Sequence, residues 1–244
     1  MHIALDAAAL PFVPLLLAQG RRVQRDTPRL PPAAGPSCGM VEGHGMPLRL
    51  LAIGESTVAG VGAGHHEQAL TGQFARALQA RHGRRVEWHA FGLSGATVAH
   101  ALQSFANQLP QQPMDLIVIA FGVNDTIERT SPRRYAEGLK SLVGAARSRV
   151  GGDVPVLLCA APPMHLFPAL PRPLRYYLGA RAALLNRAAR NARIANATHV
   201  AFQGKAERHL FARDGFHPSA AGYAVWGVEL ARLALQHLFV QAPT

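Results

Sequence analysis

Length, composition and charge describe an ordinary globular chain. Its 244 residues are 49% hydrophobic and 16% charged, which suits one well-buried core and excludes an intrinsically disordered chain. The net charge of +11 comes almost entirely from arginines, which are scattered and do not form a basic run interleaved with aromatic residues. We therefore predict solvated basic helix faces and no nucleic-acid partner. Cys38 lies in a Pro/Gly-rich stretch and Cys159 in an apolar run, so no disulfide framework is predicted.

The first 47 residues differ in character from the rest of the chain. Residues 3–18 are mostly apolar, and arginines and a Pro/Gly-rich stretch follow them. Because the charges come after the apolar segment, it does not match a secretory signal, and it is shorter than the roughly 20 residues that span a bilayer. Two interpretations stay open: an arm that packs on the body or is mobile, and an interfacial segment that meets anionic lipid through residues 3–29. We expect a cytoplasmic or peripherally membrane-associated protein.

From residue 48 onward, apolar runs alternate with segments of helical periodicity. Residues 48–54 form a continuous apolar run typical of a strand buried on both faces, and residues 115–121 give the strongest strand signal. Ser131 and Pro132 are typical of an N-cap and a first helical turn. The other predicted strands are 86–91, 154–160 and 198–202, and the predicted helices are 68–82, 96–108, 132–150, 174–196 and 219–239.

This alternation predicts an α/β protein. Strands that alternate with helices form a parallel sheet covered by helices on both faces. The count fits a flavodoxin-like, three-layer α/β/α fold with a five-stranded parallel sheet. Ligands bind at the carboxyl ends of the strands in such sheets, so chemistry is expected in the residues that directly follow each strand.

Four short motifs occur at or near these strand ends. In the first, GES, Ser56 can present its hydroxyl and its N–H to a cleft. FGLSG, with Gly92, follows the second strand, and FGVND follows the third, where the Asn124 amide can donate to a developing oxyanion. DGFHP places Asp214 three residues before His217, a spacing that lets the carboxylate orient a general base. Each motif alone has a structural alternative: an N-cap serine, a loop glycine, an Asx turn and a surface turn.

Taken together and in this order, the four motifs resemble those of the SGNH/GDSL hydrolase family, over residues 48 to about 239. The resemblance implies the SGNH hydrolase fold. It implies that residues 1–47 are an arm and linker and that residues 48–244 are the catalytic domain. No metal and no organic cofactor is implied.

The resemblance also assigns roles to the motif residues. Ser56 would be the nucleophile, His217 the base and Asp214 its partner. The Ser56 N–H, the Gly92 N–H and the Asn124 side-chain amide would form the oxyanion hole. The implied reaction is hydrolysis of a carboxylic ester, with a small-molecule or lipid-like substrate and an acyl-enzyme intermediate.

Several alternatives remain beside this one. A carbohydrate O-deacetylase or a thioesterase would use the same fold, and a non-catalytic binding protein is the rival outside enzymes. The chain has no P-loop, no Gly-x-Ser-x-Gly elbow and no H-E-x-x-H spacing. The family usually has Asp before the serine, and Glu55 stands there instead, with an extra methylene that changes how the carboxylate reaches its loop contacts.

The segment after the fourth strand, APPMHLFPALPRPLRYYLG, predicts the substrate pocket. It is apolar and rich in proline, and it follows a strand end on the active face. A hydrophobic lid edge or a dimer contact is the alternative, and the oligomeric state is not predicted. The candidate pocket residues are Glu55, Met164, Leu166, Phe167, Tyr176 and Tyr177.

Overall fold

The computed structural model describes residues 2–105, 107–202 and 207–238. Over these residues the chain forms eight α-helices around one six-stranded sheet. The strands are β1 (Cys38–Val41), β2 (His44–Gly54), β3 (Arg84–Gly92), β4 (Leu116–Ala120), β5 (Val156–Cys159) and β6 (Ala197–Val200). The helices are α1 (His2–Ala9), α2 (Val13–Asp26), α3 (Leu70–His82), α4 (Val98–Phe105), α5 (Val123–Ile127), α6 (Pro132–Val150), α7 (Leu174–Asn191) and α8 (Ala220–Leu238).

The sheet has the strand order β1-β3-β2-β4-β5-β6. Strands β2 to β6 are parallel to one another, so the predicted flavodoxin-like fold with five parallel strands is confirmed. The total of five strands is wrong, because β1 adds an antiparallel edge strand beside β3. This strand lies in the Pro/Gly-rich segment that was expected to be a linker. The domain boundary after residue 47 stays a prediction.

The two faces of the sheet carry separate apolar cores. Successive side chains of a strand point to opposite faces, so Leu50 and Ala52 face one layer and Leu51 and Ile53 face the other. The first core includes side chains from α3 and α8, and the second includes side chains from α4, α6 and α7. A strand buried on both faces needs a continuous apolar sequence, which is what residues 48–54 supply.

The N-terminal arm packs on α7. Leu16 of α2 is buried in a third apolar cluster that also contains Leu174 and Leu178 of α7. The prolines that interrupt the apolar segment fall where helices tolerate them: Pro14 occupies the first turn of α2, where its missing N–H costs no helical hydrogen bond. None of the described helices is long and apolar enough to cross a membrane.

Candidate active site

Ser56 lies in the turn that leaves the carboxyl end of β2. Gly54 makes that turn sterically feasible, because a Cβ at this position would lie 2.4 Å from Val58 Cγ2 and 2.6 Å from the Ala120 carbonyl oxygen. Ser56 is nearly buried, and its N–H has no acceptor among the described residues. Both its hydroxyl and its N–H are therefore available to a bound ligand.

The DGFHP segment folds into a tight loop ahead of α8. The N–H of Ala212 donates to the His217 carbonyl over 2.8 Å, and Gly215 adopts a φ of +63°, which favours glycine. Asp214 Oδ1 accepts the N–H groups of Phe216 and His217 at 2.9 and 3.0 Å. This loop holds the Asp214 and His217 side chains together and orients the imidazole toward β2.

Ser56, His217 and Asp214 form a continuous chain of contacts. His217 Nε2 lies 3.0 Å from Ser56 Oγ, and His217 Nδ1 lies 2.6 Å from Asp214 Oδ2. Because an ionised carboxylate only accepts hydrogen bonds, the imidazole proton belongs on Nδ1, which leaves Nε2 to accept the serine hydroxyl. Burial of Asp214 opposes its charged form, but hydrogen bonds from His217 and from two backbone N–H groups outweigh burial and lower its pKa. The partner carboxylate is therefore ionised at neutral pH.

Glu55, a predicted pocket residue, is not among the residues that line the cavity beside Ser56 and His217. The residue is only 3% exposed, and its carboxylate points toward the first turn of α5. Oε1 accepts the Val123 N–H at 3.0 Å, and Oε2 accepts the Asn124 N–H at 3.0 Å and the Asn124 side-chain amide at 2.6 Å. Burial raises the pKa of Glu55 to about 7, although these donors favour the carboxylate. Glu55 thus fixes the position of Asn124.

The Asn124 amide is partly engaged by the protein itself. One amide N–H donates to Glu55 over the short distance of 2.6 Å. The other N–H faces the Ala96 carbonyl at 3.3 Å, which is longer than the usual 2.7–3.2 Å for such bonds. This second N–H is weakly held and can turn to a substrate oxygen without loss of the Glu55 contact.

Gly92, the last residue of β3, is required for packing. A Cβ at Gly92 would lie 2.0 Å from the backbone nitrogen of Ala59, so any larger residue would displace the turn that carries Ser56. Gly95, three residues later, has a φ of +82° and open space beside it, and its N–H has no acceptor among the described residues. It directly precedes Ala96, whose carbonyl contacts Asn124. The loop after β3 therefore offers a second backbone N–H that sequence reasoning missed.

An apolar cavity opens beside Ser56 and His217. Its volume is about 50 Å³. Leu166 and Phe167, two of the predicted pocket residues, lie on its wall. Phe167 meets Phe216 edge to face, with ring centroids 5.0 Å apart. The other lining residues are Thr57, Val123, Pro162, Pro163, Phe202, Phe211, Pro218 and Trp226.

Three further predicted pocket residues lie elsewhere. Met164 is fully buried in the apolar cluster beneath α7, because the loop turns its side chain inward. Tyr176 is 51% exposed on α7. Tyr177 faces the N-terminal arm and donates its hydroxyl to Asp6 at 2.9 Å. The two tyrosines lie on different surfaces because adjacent residues of a helix point in different directions.

The aromatic residues that sequence reasoning missed come from three distant segments. Phe216 lies between Asp214 and His217 in the DGFHP motif, and that position was the available signal for it. Phe202 follows β6, and Trp226 belongs to α8. The centroids of their rings lie 5.6 Å apart. Nothing in their local sequence marks them as pocket residues, because only the tertiary fold brings them to the cavity.

The described residues contain no group of three or more His, Cys, Asp or Glu side chains arranged to hold a metal ion. The adjacent histidines His65 and His66 belong to no such group; His65 directly precedes a short 3₁₀ helix that begins at His66.

Comparison with known proteins adds to this geometry. Residues 52–225 match the model of the GDSL-like lipase/acylhydrolase family. The chain belongs to that family. The match spans all four motifs, and GDSL family membership supports hydrolysis of esters as the reaction class. A comparison with curated proteins gives no significant match.

Solved structures of GDSL hydrolases and related esterases share the fold. A lipase from a goat rumen metagenome is 20% identical with a TM-score of 0.60, covering 77% of this chain and 97% of its own. A lipase/acylhydrolase from Enterococcus faecalis is 21% identical with a TM-score of 0.56, over 76% and 94%. A family 3 carbohydrate esterase from Clostridium thermocellum is 19% identical with a TM-score of 0.59, over 81% and 100%. At these identities the likeness shows the fold alone.

Proposed function

We propose that this GDSL-family protein is a serine hydrolase that cleaves carboxylic esters through an acyl-enzyme on Ser56. The observation that carries the proposal is the continuous contact from Ser56 through His217 to Asp214, at the wall of an apolar cavity. A free serine hydroxyl is a weak nucleophile and needs an adjacent base of this kind.

In the proposed mechanism, His217 Nε2 takes the hydroxyl proton while Ser56 Oγ bonds to the ester carbonyl carbon. Asp214 stabilises the imidazolium that forms. His217 then gives the proton to the leaving alcohol as the ester C–O bond breaks, which leaves an acyl group on Ser56. In the second half, His217 takes a proton from water, the resulting hydroxide equivalent attacks the acyl-enzyme, and the proton returns to Ser56 as the acid departs.

The oxyanion of each tetrahedral intermediate needs donors already in place. The Ser56 N–H and the Asn124 amide are two of the proposed donors. The third is a backbone N–H at the end of β3 or in the loop that follows it: Gly92 is the predicted donor and Gly95 a second candidate. Replacing the amide by an ester at residue 95, and separately at residue 92, removes one N–H at a time. The true donor loses roughly 10²–10³ in kcat, and the other position keeps near-normal kcat.

The primary experiment is turnover of p-nitrophenyl acetate and butyrate by wild type and Ser56→Ala. We expect kcat to fall by roughly 10⁴–10⁶ in the variant. Ser148→Ala is the matched control, since this exposed serine lies on α6 and bonds only to the Gly144 carbonyl. Turnover retained by Ser56→Ala contradicts the proposal. A wild type inactive on simple esters, acetylated polysaccharide and acyl thioesters alike favours the non-catalytic binding alternative.

A carbohydrate O-deacetylase is the second candidate, because the cavity is small. At roughly 10–15 Å³ for each water-sized group, about 50 Å³ accommodates about three to five such groups, which suits short acyl chains such as acetyl. The Clostridium thermocellum relative is a carbohydrate esterase. Acetylated xylan hydrolysed with a kcat/KM well above that of p-nitrophenyl acetate supports deacetylation. The reverse ranking supports a simple esterase.

A further inference from the structure

The N-terminal arm exposes an unusual concentration of apolar side chains. Five large apolar residues within eight positions are 37–66% exposed, and we call them the arm face: Leu10, Phe12, Val13, Leu15 and Leu17. The other exposed large apolar residues of the described chain are dispersed over several elements: Met40, Met46, Ile127, Tyr176, Val225 and Val228. A local concentration of exposed apolar side chains of this kind marks an interaction surface.

The opposite side of the arm is held firmly on the protein. Asp6 Oδ1 accepts from Arg181 and from the Tyr177 hydroxyl, both at 2.9 Å, and Arg181 is only 2% exposed. The Gln19 side chain donates to the Arg172 carbonyl at 2.7 Å and accepts the Leu174 N–H at 3.1 Å. These contacts lie at both ends of the arm, so its orientation is set. Leu10, Val13 and Leu17 lie along an open groove that Arg129 and Tyr177 also line, and Phe12 and Leu15 are exposed outside that groove.

Basic residues continue the outward surface along α2. Arg21, Arg22 and Arg25 are exposed there, and Asp26 is the one acidic residue of that helix. Asp26 pairs with both Arg22 and Arg25, which leaves a net positive charge beside the arm face. An apolar surface flanked by arginines is complementary to a bilayer that contains anionic lipid. A second copy of this chain would bring like-charged arginines together across a two-fold interface, which disfavours it as the occupant.

We propose that the arm face docks on an anionic membrane surface, with α2 lying in the interfacial plane. The described helices are too short or too polar to span a membrane, so the contact is peripheral. Apolar side chains enter the acyl boundary, while the arginines meet lipid phosphates. The arm joins the cavity wall through one apolar cluster that includes Leu16, Val123 and Phe167. Docking of the arm therefore sets the position of the cavity relative to the lipid.

Sedimentation with sucrose-loaded vesicles tests this docking with the full chain. Vesicles of phosphatidylcholine with a quarter phosphatidylglycerol should bind the wild type, and vesicles of phosphatidylcholine alone should bind it at least tenfold more weakly. The double variant Phe12→Ser/Leu15→Ser should lose at least about tenfold in vesicle affinity. Replacing Arg21, Arg22 and Arg25 by Gln should cost roughly fivefold for each arginine, and 1 M salt should weaken wild-type binding.

Matched controls separate docking from misfolding. Met46→Ser changes an exposed apolar side chain outside the arm, and Arg133→Gln changes an exposed arginine on α6; both should bind vesicles as the wild type does. All variants should keep wild-type thermal unfolding curves and turnover of soluble esters. The proposal is overturned if the wild type does not sediment with anionic vesicles, or if Met46→Ser weakens binding as much as the arm variants. It is also overturned if the arm face instead supports a dimer that Phe12→Ser dissociates.

Discussion

Glu55 holds Asn124, and changing it tests whether this contact matters for catalysis. In Glu55→Gln the amide oxygen can occupy the place of Oε2 and keep both bonds to Asn124. The amide NH₂ then faces the Val123 N–H, which loses its acceptor. Leaving a buried N–H without an acceptor costs about 1–3 kcal/mol, so we expect that loss in the free energy of unfolding at pH 4, where both side chains are uncharged. Because Asn124 stays in place, no oxyanion donor is lost, and kcat should fall less than tenfold.

Glu55→Ala removes the acceptor for all three donors. The Asn124 amide is then free to rotate, and kcat should fall by roughly 10²–10³, as for a lost oxyanion donor. If Glu55 acts through Asn124, the double variant with Asn124→Ala should be no slower than Asn124→Ala alone, because the two residues share one function. Additive losses in kcat, or an Asn124→Ala variant with near-normal kcat, would refute this reasoning.

The raised pKa of Glu55 also predicts a pH dependence of stability. A carboxyl group with a pKa of about 7 in the folded state and 4.5 in its unperturbed state binds its proton more tightly when folded. Its contribution to stability is therefore complete below pH 4.5 and is lost as the pH rises through about 7. The difference corresponds to about 3 kcal/mol.

Urea unfolding of wild type and Glu55→Gln measures this difference. The stability of wild type minus that of the variant should fall by about 3 kcal/mol from pH 4 to pH 8, because only the wild type carries the titrating group. A difference that stays constant would show that folding leaves the pKa of Glu55 unchanged, and one that grows with pH would show that the three N–H donors outweigh burial and lower it.

Three further predictions concern the site and its surroundings. Asp214→Asn should keep the fold and lower kcat by roughly 10⁴, because an amide favours the wrong imidazole tautomer; steady-state kinetics that show a loss below tenfold would contradict this. Phe211→Ala should shift the preferred acyl chain to longer p-nitrophenyl esters by enlarging the cavity, whereas Tyr176→Ala, outside the cavity, should not. Gly92→Ala should lower the melting temperature and kcat together, since its Cβ would meet the backbone nitrogen of Ala59 at 2.0 Å, and unchanged values of both would refute that packing.

The sequence predicts the regular part of the fold well where local signals and tertiary packing agree. Residues 132–150 form a helix with the predicted bounds, because Ser131 caps it through the Arg134 N–H and Gly151 ends it with a φ of +76°. The helix predicted over 174–196 ends at Asn191, since Arg193 takes a φ of +43° that the composition does not signal. The end predicted at residue 239 lies outside the described residues.

Features that depend on distant partners could not be predicted. The edge strand β1 is only four residues long, and its Pro/Gly-rich surroundings resemble a linker until β3 is beside it. The order of the motifs predicted that Ser56, Asn124 and His217 are site residues, but it did not predict the distances between them. The burial of Glu55 depends on the N–H groups of α5, and most of the aromatic cavity wall depends on how separate segments meet. Neither is encoded in a local pattern.

The most direct test of the central claim is to label the protein with a fluorophosphonate ester and locate the adduct by peptide mass mapping. The proposed mechanism predicts one adduct per chain on Ser56, because among the described residues only this hydroxyl has His217 at 3.0 Å to accept its proton. Labelling should be lost in Ser56→Ala and slowed strongly in His217→Ala, while Ser148→Ala labels normally. An adduct on another residue, or equal labelling of Ser56→Ala, would contradict Ser56 as the nucleophile.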